Sequence, residues 1–215
     1  YLLAAYSIAT LALAAVGAGL ALSAWRRREL RAAPASAAFS AIIAGYLLAR
    51  GLSLFGPVAW TDFWLRAEWL GRALAPVGLY SLMLAYTGSG RWLTPRRLAA
   101  LLVIPALTQV LVWWPGAPWL LTPVGRLTAV GPFLLSVERP AGWWLAVHVG
   151  YAAVLLALVL NTIGVVFVRA AGVHRRQAAV LLGSLIVVAA LSVAEAGGLW
   201  AWPALPLSPW ALLVV

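Results

Sequence analysis

The chain has 215 residues, 65% of them hydrophobic and 9% charged, where a soluble domain carries about 25% charged residues. That composition excludes an ordinary soluble globule and describes an integral membrane protein. The net charge of +10 rests on 15 basic residues, all of them Arg; with no Lys a retinal Schiff base has no amine, and with no Cys disulfides and thiolate metal sites are excluded.

A membrane-spanning helix takes about 20 mostly apolar residues. The first such run covers 2–24 and is followed at once by Arg26, Arg27, Arg28 and Arg31. Those arginines resist translocation, so a cleaved leader is a poor reading of this segment. The second run, 36–55, holds Arg50 near its far end. The third, 63–86, is the most informative. Its first half keeps Arg66, Glu68 and Arg72, with Asp62 just before it. A charge at the centre of a lipid-exposed helix costs roughly 2.5–3.5 kcal/mol. Such charges are expected to pair, to line a cavity or to bind something.

Asp62–Arg66 and Glu68–Arg72 are each acid-before-base at i,i+4, the favourable order on a helix. At 3.6 residues per turn Arg66 and Glu68 are about 200° apart, so the two pairs face different ways. Two readings stay open. The pairs neutralise themselves near the interface, or they form a polar cluster that recognises a ligand. Pro76 is expected to kink this helix, and Gly71 and Gly78 to allow a close helix neighbour.

Arg91, Arg96 and Arg97 precede the fourth run, 97–114, which carries Pro105 and Gln109. The longest connection, 115–142, contains Pro115, Pro118, Pro123, Pro132 and Pro140. No helix continues through it; Leu127–Val130 and Phe133–Val137 around Gly131-Pro132 suit a short hairpin. The fifth run, 143–168, holds His148, Tyr151 and Asn161. His148, Asn161 and Gln109 read as interhelical hydrogen-bonding groups. Arg169, Arg175 and Arg176 separate it from the sixth run, 177–199, whose outer end carries Glu195. Glu195 is expected to meet Arg50, Arg66 or Arg72, because a buried acid without a cation would protonate. A seventh run begins at 205 and stops at 215 inside an apolar stretch. The chain therefore reads as a segment of a longer protein.

These elements predict one all-α membrane domain over 1–215, a seven-transmembrane bundle with a truncated seventh helix. Ten arginines fall on one set of loops and two, Arg126 and Arg139, on the other. By the positive-inside rule the N-terminus is outside and the C-terminus leads into the cytoplasm. The same distribution assigns the positive charge to topology in the lipid bilayer and not to nucleic acid. Eleven of the 13 Trp fall on the outer side, as an aromatic belt or as the wall of an outward pocket. No HExxH, GxSxG, P-loop or Cys cluster is present, so no cofactor or metal site is expected and the covered chain reads as non-enzymatic.

The segment Phe63-Trp64-x-Arg66, Trp69-Leu70-Gly71, Pro76, Ala85-Tyr86-Thr87-Gly88, Arg91-Trp92-Leu93-Thr94 and Leu102–Thr108 resembles the N-terminal seven-transmembrane sensor region of bacterial histidine kinases. Trp143-Trp144, His148 and Tyr151, and His174-Arg175-Arg176-Gln177, fit the same pattern. The resemblance covers nearly all of the chain. It implies a multi-pass input domain of the cell (inner) membrane, whose last helix continues into a cytoplasmic output domain such as a histidine kinase or diguanylate cyclase. It also implies a possible homodimer. The chain departs from the family at Glu195, where a neutral polar residue is common. The combined expectation is a sensory module in which Arg50, Arg66, Glu68, Arg72 and Glu195 receive an unknown small-molecule or membrane signal. A small transporter or a non-catalytic structural membrane subunit is the alternative.

Overall fold

The computed structural model describes residues 2–55, 57–114, 116, 119–122, 127–130, 133–136, 142–169 and 172–196. Six long helices follow one another: α1 (Leu2–Arg26), α2 (Ala33–Phe55), α3 (Thr61–Tyr86), α4 (Pro95–Trp113), α5 (Trp143–Arg169) and α6 (Gly172–Ala196). They match the six complete runs expected from the sequence, with α6 beginning five residues before the predicted 177. The seventh run, 205–215, lies outside the described residues. Between α4 and α5 a two-stranded antiparallel hairpin forms from β1 (Leu127–Val130) and β2 (Phe133–Ser136), with Leu127 opposite Ser136 and Val130 opposite Phe133.

By length and apolarity α1, α2, α4 and α5 qualify as membrane spans. α3 has 26 residues, long enough to cross, but Asp62, Arg66, Glu68 and Arg72 lower its apolarity. It is accordingly the central helix, packed against α2, α4 and α5. The outward residues of α1, among them Ile8, Val16, Leu20 and Leu22, are exposed and suited to lipid. Its inner residues Tyr6, Ser7, Thr10 and Ala14 are buried and more polar. This inversion fits hydrocarbon as the surrounding solvent.

Small residues set the α2–α3 contact. A Cβ on Gly71 would run into the Cβ of Tyr46, and one on Gly78 would lie 3.0 Å from Ile42 Cδ1 and 3.2 Å from Phe39 Cδ2. The close approach expected from these two glycines is therefore made, and α2 is the neighbour. Beneath it Phe39, Ile43, Leu47, Leu79, Met83, Val159, Ile163 and Leu185 join α2, α3, α5 and α6 in one buried apolar core. α4 starts on Thr94, whose hydroxyl accepts from the Arg97 backbone N–H at 3.4 Å, with Pro95 at the first helical position.

Pro105 lies inside α4 and cannot donate to the carbonyl of Leu101 four residues earlier. Tyr151 on α5 supplies the missing donor, with its hydroxyl 2.6 Å from Leu101 O. Within a bilayer a freed carbonyl must be answered by protein. Tyr151→Phe is expected to cost about 0.6–1.7 kcal/mol, and Pro105→Ala should erase most of that cost by returning a backbone donor to Leu101. A double-mutant cycle on unfolding in mixed micelles measures the coupling; additive effects would refute the pairing.

Candidate functional site

Glu68 lies two turns into α3 with its side chain 1% exposed. Its Oε2 is 3.4 Å from Nη1 of Arg50 on α2, and its Oε1 accepts a hydrogen bond from Nη2 of Arg72 one turn further along α3. The i,i+4 pair expected from the sequence thus forms, and Arg50 joins it from the facing helix. The three side chains carry two positive charges and one negative, about 8%, 1% and 31% exposed for Arg50, Glu68 and Arg72.

Aromatic groups enclose the cluster. The Tyr6 phenol of α1 lies within electrostatic reach of Arg50. The Arg72 guanidinium lies over two rings, Trp69 at 5.4 Å and Tyr46 at 5.9 Å. Such contacts favour a cation by about 0.5–2 kcal/mol, more as water is excluded. Trp69 packs edge-on to His148 of α5 with ring centroids 6.1 Å apart. His148 Nδ1 is 3.3 Å from Thr108 Oγ1 on α4, and that hydroxyl also receives the Trp144 indole N–H at 3.0 Å. One continuous polar and aromatic network therefore links α1 to α5. The interhelical bond expected of His148 is present.

Arg66 belongs to a different contact. It bonds Asp62 Oδ2 at 2.7 Å through Nε and the Val112 carbonyl at 2.6 Å through Nη1. Val112 is in the last turn of α4, whose carbonyls lack intrahelical donors. Arg66 is thus a side-chain cap that ties the end of α4 to α3, and it faces away from Glu68 as the 200° offset requires. The Glu195 side chain lies outside those that are described, and with it the contact expected to Arg50, Arg66 or Arg72. Asn161 is exposed on α5, and no interhelical hydrogen bond from it is seen among the described residues. Gln109 Nε2 is buried without a hydrogen-bond partner among the described residues. Of the predicted tryptophan belt, Trp60, Trp113, Trp114, Trp119 and Trp143 are exposed while Trp69 is buried.

The sequence reading did not single out Tyr6, Tyr46 or Thr108 for this site. The signal available was weak: a single polar or phenolic group on an otherwise apolar helix. Among the described residues no three His, Cys, Asp or Glu side chains come together as a metal site.

A helical bundle suited to hydrocarbon, with a charged cluster enclosed between α1, α2 and α3, defines a membrane protein that buries ionic groups. The chain belongs to the family described as the N-terminal 7TM region of histidine kinase, which matches residues 9–215. No curated protein and no solved structure matches it.

Breaking a buried ion pair from one side costs about 3–5 kcal/mol, because the other charge stays buried. Glu68→Gln leaves two guanidinium groups facing each other, whereas Arg72→Ala leaves the neutral pair Arg50–Glu68. Glu68→Gln is expected to be the more destabilising of the two in a detergent thermal-melting assay. Equal melting temperatures would show that Glu68 does not hold both arginines.

Proposed function

We propose that the chain is the sensory input domain of a bacterial histidine kinase in a two-component system, embedded as a multi-pass bundle in the cell membrane. In this reading the N-terminus is outside. A seventh helix leads to a cytoplasmic output domain in the same polypeptide, and two copies associate for signalling. The observation that carries the reading beyond family membership is the Arg50–Glu68–Arg72 cluster. A carboxylate shared between two guanidinium groups has two alternative partners, so small helix displacements redistribute its contacts.

The two contacts are unequal. Arg72 is on the same helix as Glu68 and moves with it. Arg50 is on α2 and its contact is long, at 3.4 Å. A signal that favours one position of α3 over another would make or break the Arg50 contact first. It can bias the equilibrium only through different affinity for the two positions. Glu195, on the far half of α6, is proposed as a further member of the cluster.

Transport is less well supported. A permease needs a polar path, and the middle of the bundle is closed by the apolar core of Phe39, Leu47, Leu79, Met83 and Ile163.

The test uses the full-length kinase in proteoliposomes. Glu68→Gln, Arg72→Ala and Glu195→Gln should each shift basal autophosphorylation or its response to stimulus, by several-fold in at least the first. Arg66→Met should alter stability with little effect on signalling. Unchanged basal and stimulated activity in all three cluster variants would remove the cluster as the input element.

A further inference from the structure

The opposite end of α3 borders a cavity of about 780 Å³. Its walls are Ala38 and Ile42 of α2, Val77 and Ser81 of α3, and Leu98 and Leu102 of α4. α2 and α4 both pack on α3 and leave this space between themselves, with α3 as its floor. Arg31, from the turn before α2, and Arg91, from the turn before α4, stand at its rim and are exposed. The volume is within the range of roughly 300–1,000 Å³ that suits small-molecule ligands.

Three observations agree on the chemistry of an occupant. The walls are apolar along α2, α3 and α4. The rim is cationic, and the chain next to it in sequence carries Arg26, Arg27 and Arg28 before Arg31 and Arg96 and Arg97 after Arg91, with Glu29 as the only acid in these turns. Ser81 Oγ is buried, lines the cavity and has no hydrogen-bond partner among the described residues. It lies five residues before the end of α3, roughly 8 Å inward at 1.5 Å per residue. An anionic group at the rim, a hydrogen-bond acceptor one step deeper and a hydrocarbon chain beyond is the layout of a diacyl phospholipid. A free fatty acid has no acceptor below its carboxylate to meet Ser81.

We propose that this cavity binds one acidic phospholipid from the adjacent leaflet. The phosphate lies between Arg31 and Arg91, an ester carbonyl accepts from Ser81 Oγ, and one acyl chain runs between α2 and α4 along Ile42, Val77 and Leu102. The site lies at the other end of α3 from the ion cluster, and its occupancy can be measured without any stimulus read there. The lipid completes the wall that α2 and α4 leave open and so fixes α4 relative to α2.

The test is native mass spectrometry of the full-length protein in mild detergent, titrated with dioleoyl phosphatidylglycerol, dioleoyl phosphatidylcholine or oleic acid. One phosphatidylglycerol should bind saturably. Affinity should fall about fivefold for each of Arg31→Gln and Arg91→Gln, the effect of one interfacial cation on an anionic lipid. Ala38→Trp, which fills the cavity and keeps both arginines, should abolish the bound lipid; Ala38→Leu serves the same purpose if the larger side chain lowers the melting temperature. Undiminished phosphatidylglycerol binding in the filled variants would overturn the proposal, as would equal binding of phosphatidylcholine or displacement by oleic acid. A photo-crosslinker at position 38 in native membranes should capture lipid. Capture of another part of the chain or of a second copy would overturn it equally.

Discussion

Glu68, held between two arginines inside a membrane bundle, constrains the rest of the architecture. Charges of this kind cannot face lipid cheaply, so the helix that carries them must be surrounded. α3 is surrounded by α2, α4 and α5, and the glycines at 71 and 78 let α2 come close enough for Arg50 to reach across. The cluster is not an efficient source of stability. Desolvating three charged groups cancels much of their mutual attraction, and apolar replacements of similar volume are often as stable. What the arrangement supplies is specificity: only one rotation and depth of α3 against α2 brings the carboxylate to both guanidinium groups.

A second constraint is the accounting of backbone carbonyls. Water is absent from the hydrocarbon layer, so each carbonyl released by a proline or a helix end needs a protein donor. The Leu101 carbonyl freed by Pro105 takes the Tyr151 hydroxyl, and the Val112 carbonyl at the end of α4 takes Arg66. The Gly51 carbonyl of α2 receives a further bond from Ser7 of α1 at 3.1 Å. Each donor comes from a different helix than its acceptor. Tyr151, Arg66 and Ser7 thus act as fasteners between helices, and α4, which has little other burial, depends on two of them.

How much of this was legible in the sequence follows from which contacts are local. The six complete helices are visible as apolar runs, because length and composition suffice. Asp62–Arg66 and Glu68–Arg72 are set by helix periodicity and could be paired on paper, including their divergent faces. The hairpin could be read from the residues around Gly131-Pro132. Arg50 as the second partner of Glu68 could be named only as one charge at a similar depth, because the contact depends on the α2–α3 approach that Tyr46 and Gly71 define. Depth alone also groups Arg66 with the cluster; the divergent face is readable from the helix period, but not that the end of α4 is the neighbour on it. A polar residue in an apolar helix suggests an inward position, yet Asn161 is exposed.

α3 connects the two polar features of the bundle. Glu68 and Ser81 are 13 residues apart, about 20 Å along a straight helix. Both the ion cluster and the cavity use the α2–α3 seam as one wall: Arg50 and Glu68 face across it at one end, Ile42 and Val77 at the other. The seam combines close backbone approach at Gly71 and Gly78 with the buried side chains of Phe39, Ile43, Leu47, Leu79 and Met83, and so moves as one packed surface. A displacement of α3 along α2 would lengthen the already long Arg50–Glu68 contact and reshape the space between α2 and α4 in the same movement. Packed interfaces switch between discrete arrangements more readily than they deform continuously. An occupant of the cavity with unequal affinity for two such arrangements would therefore change the free energy of the ion cluster, and by thermodynamic reciprocity a ligand at the cluster would change the affinity of the cavity by the same factor.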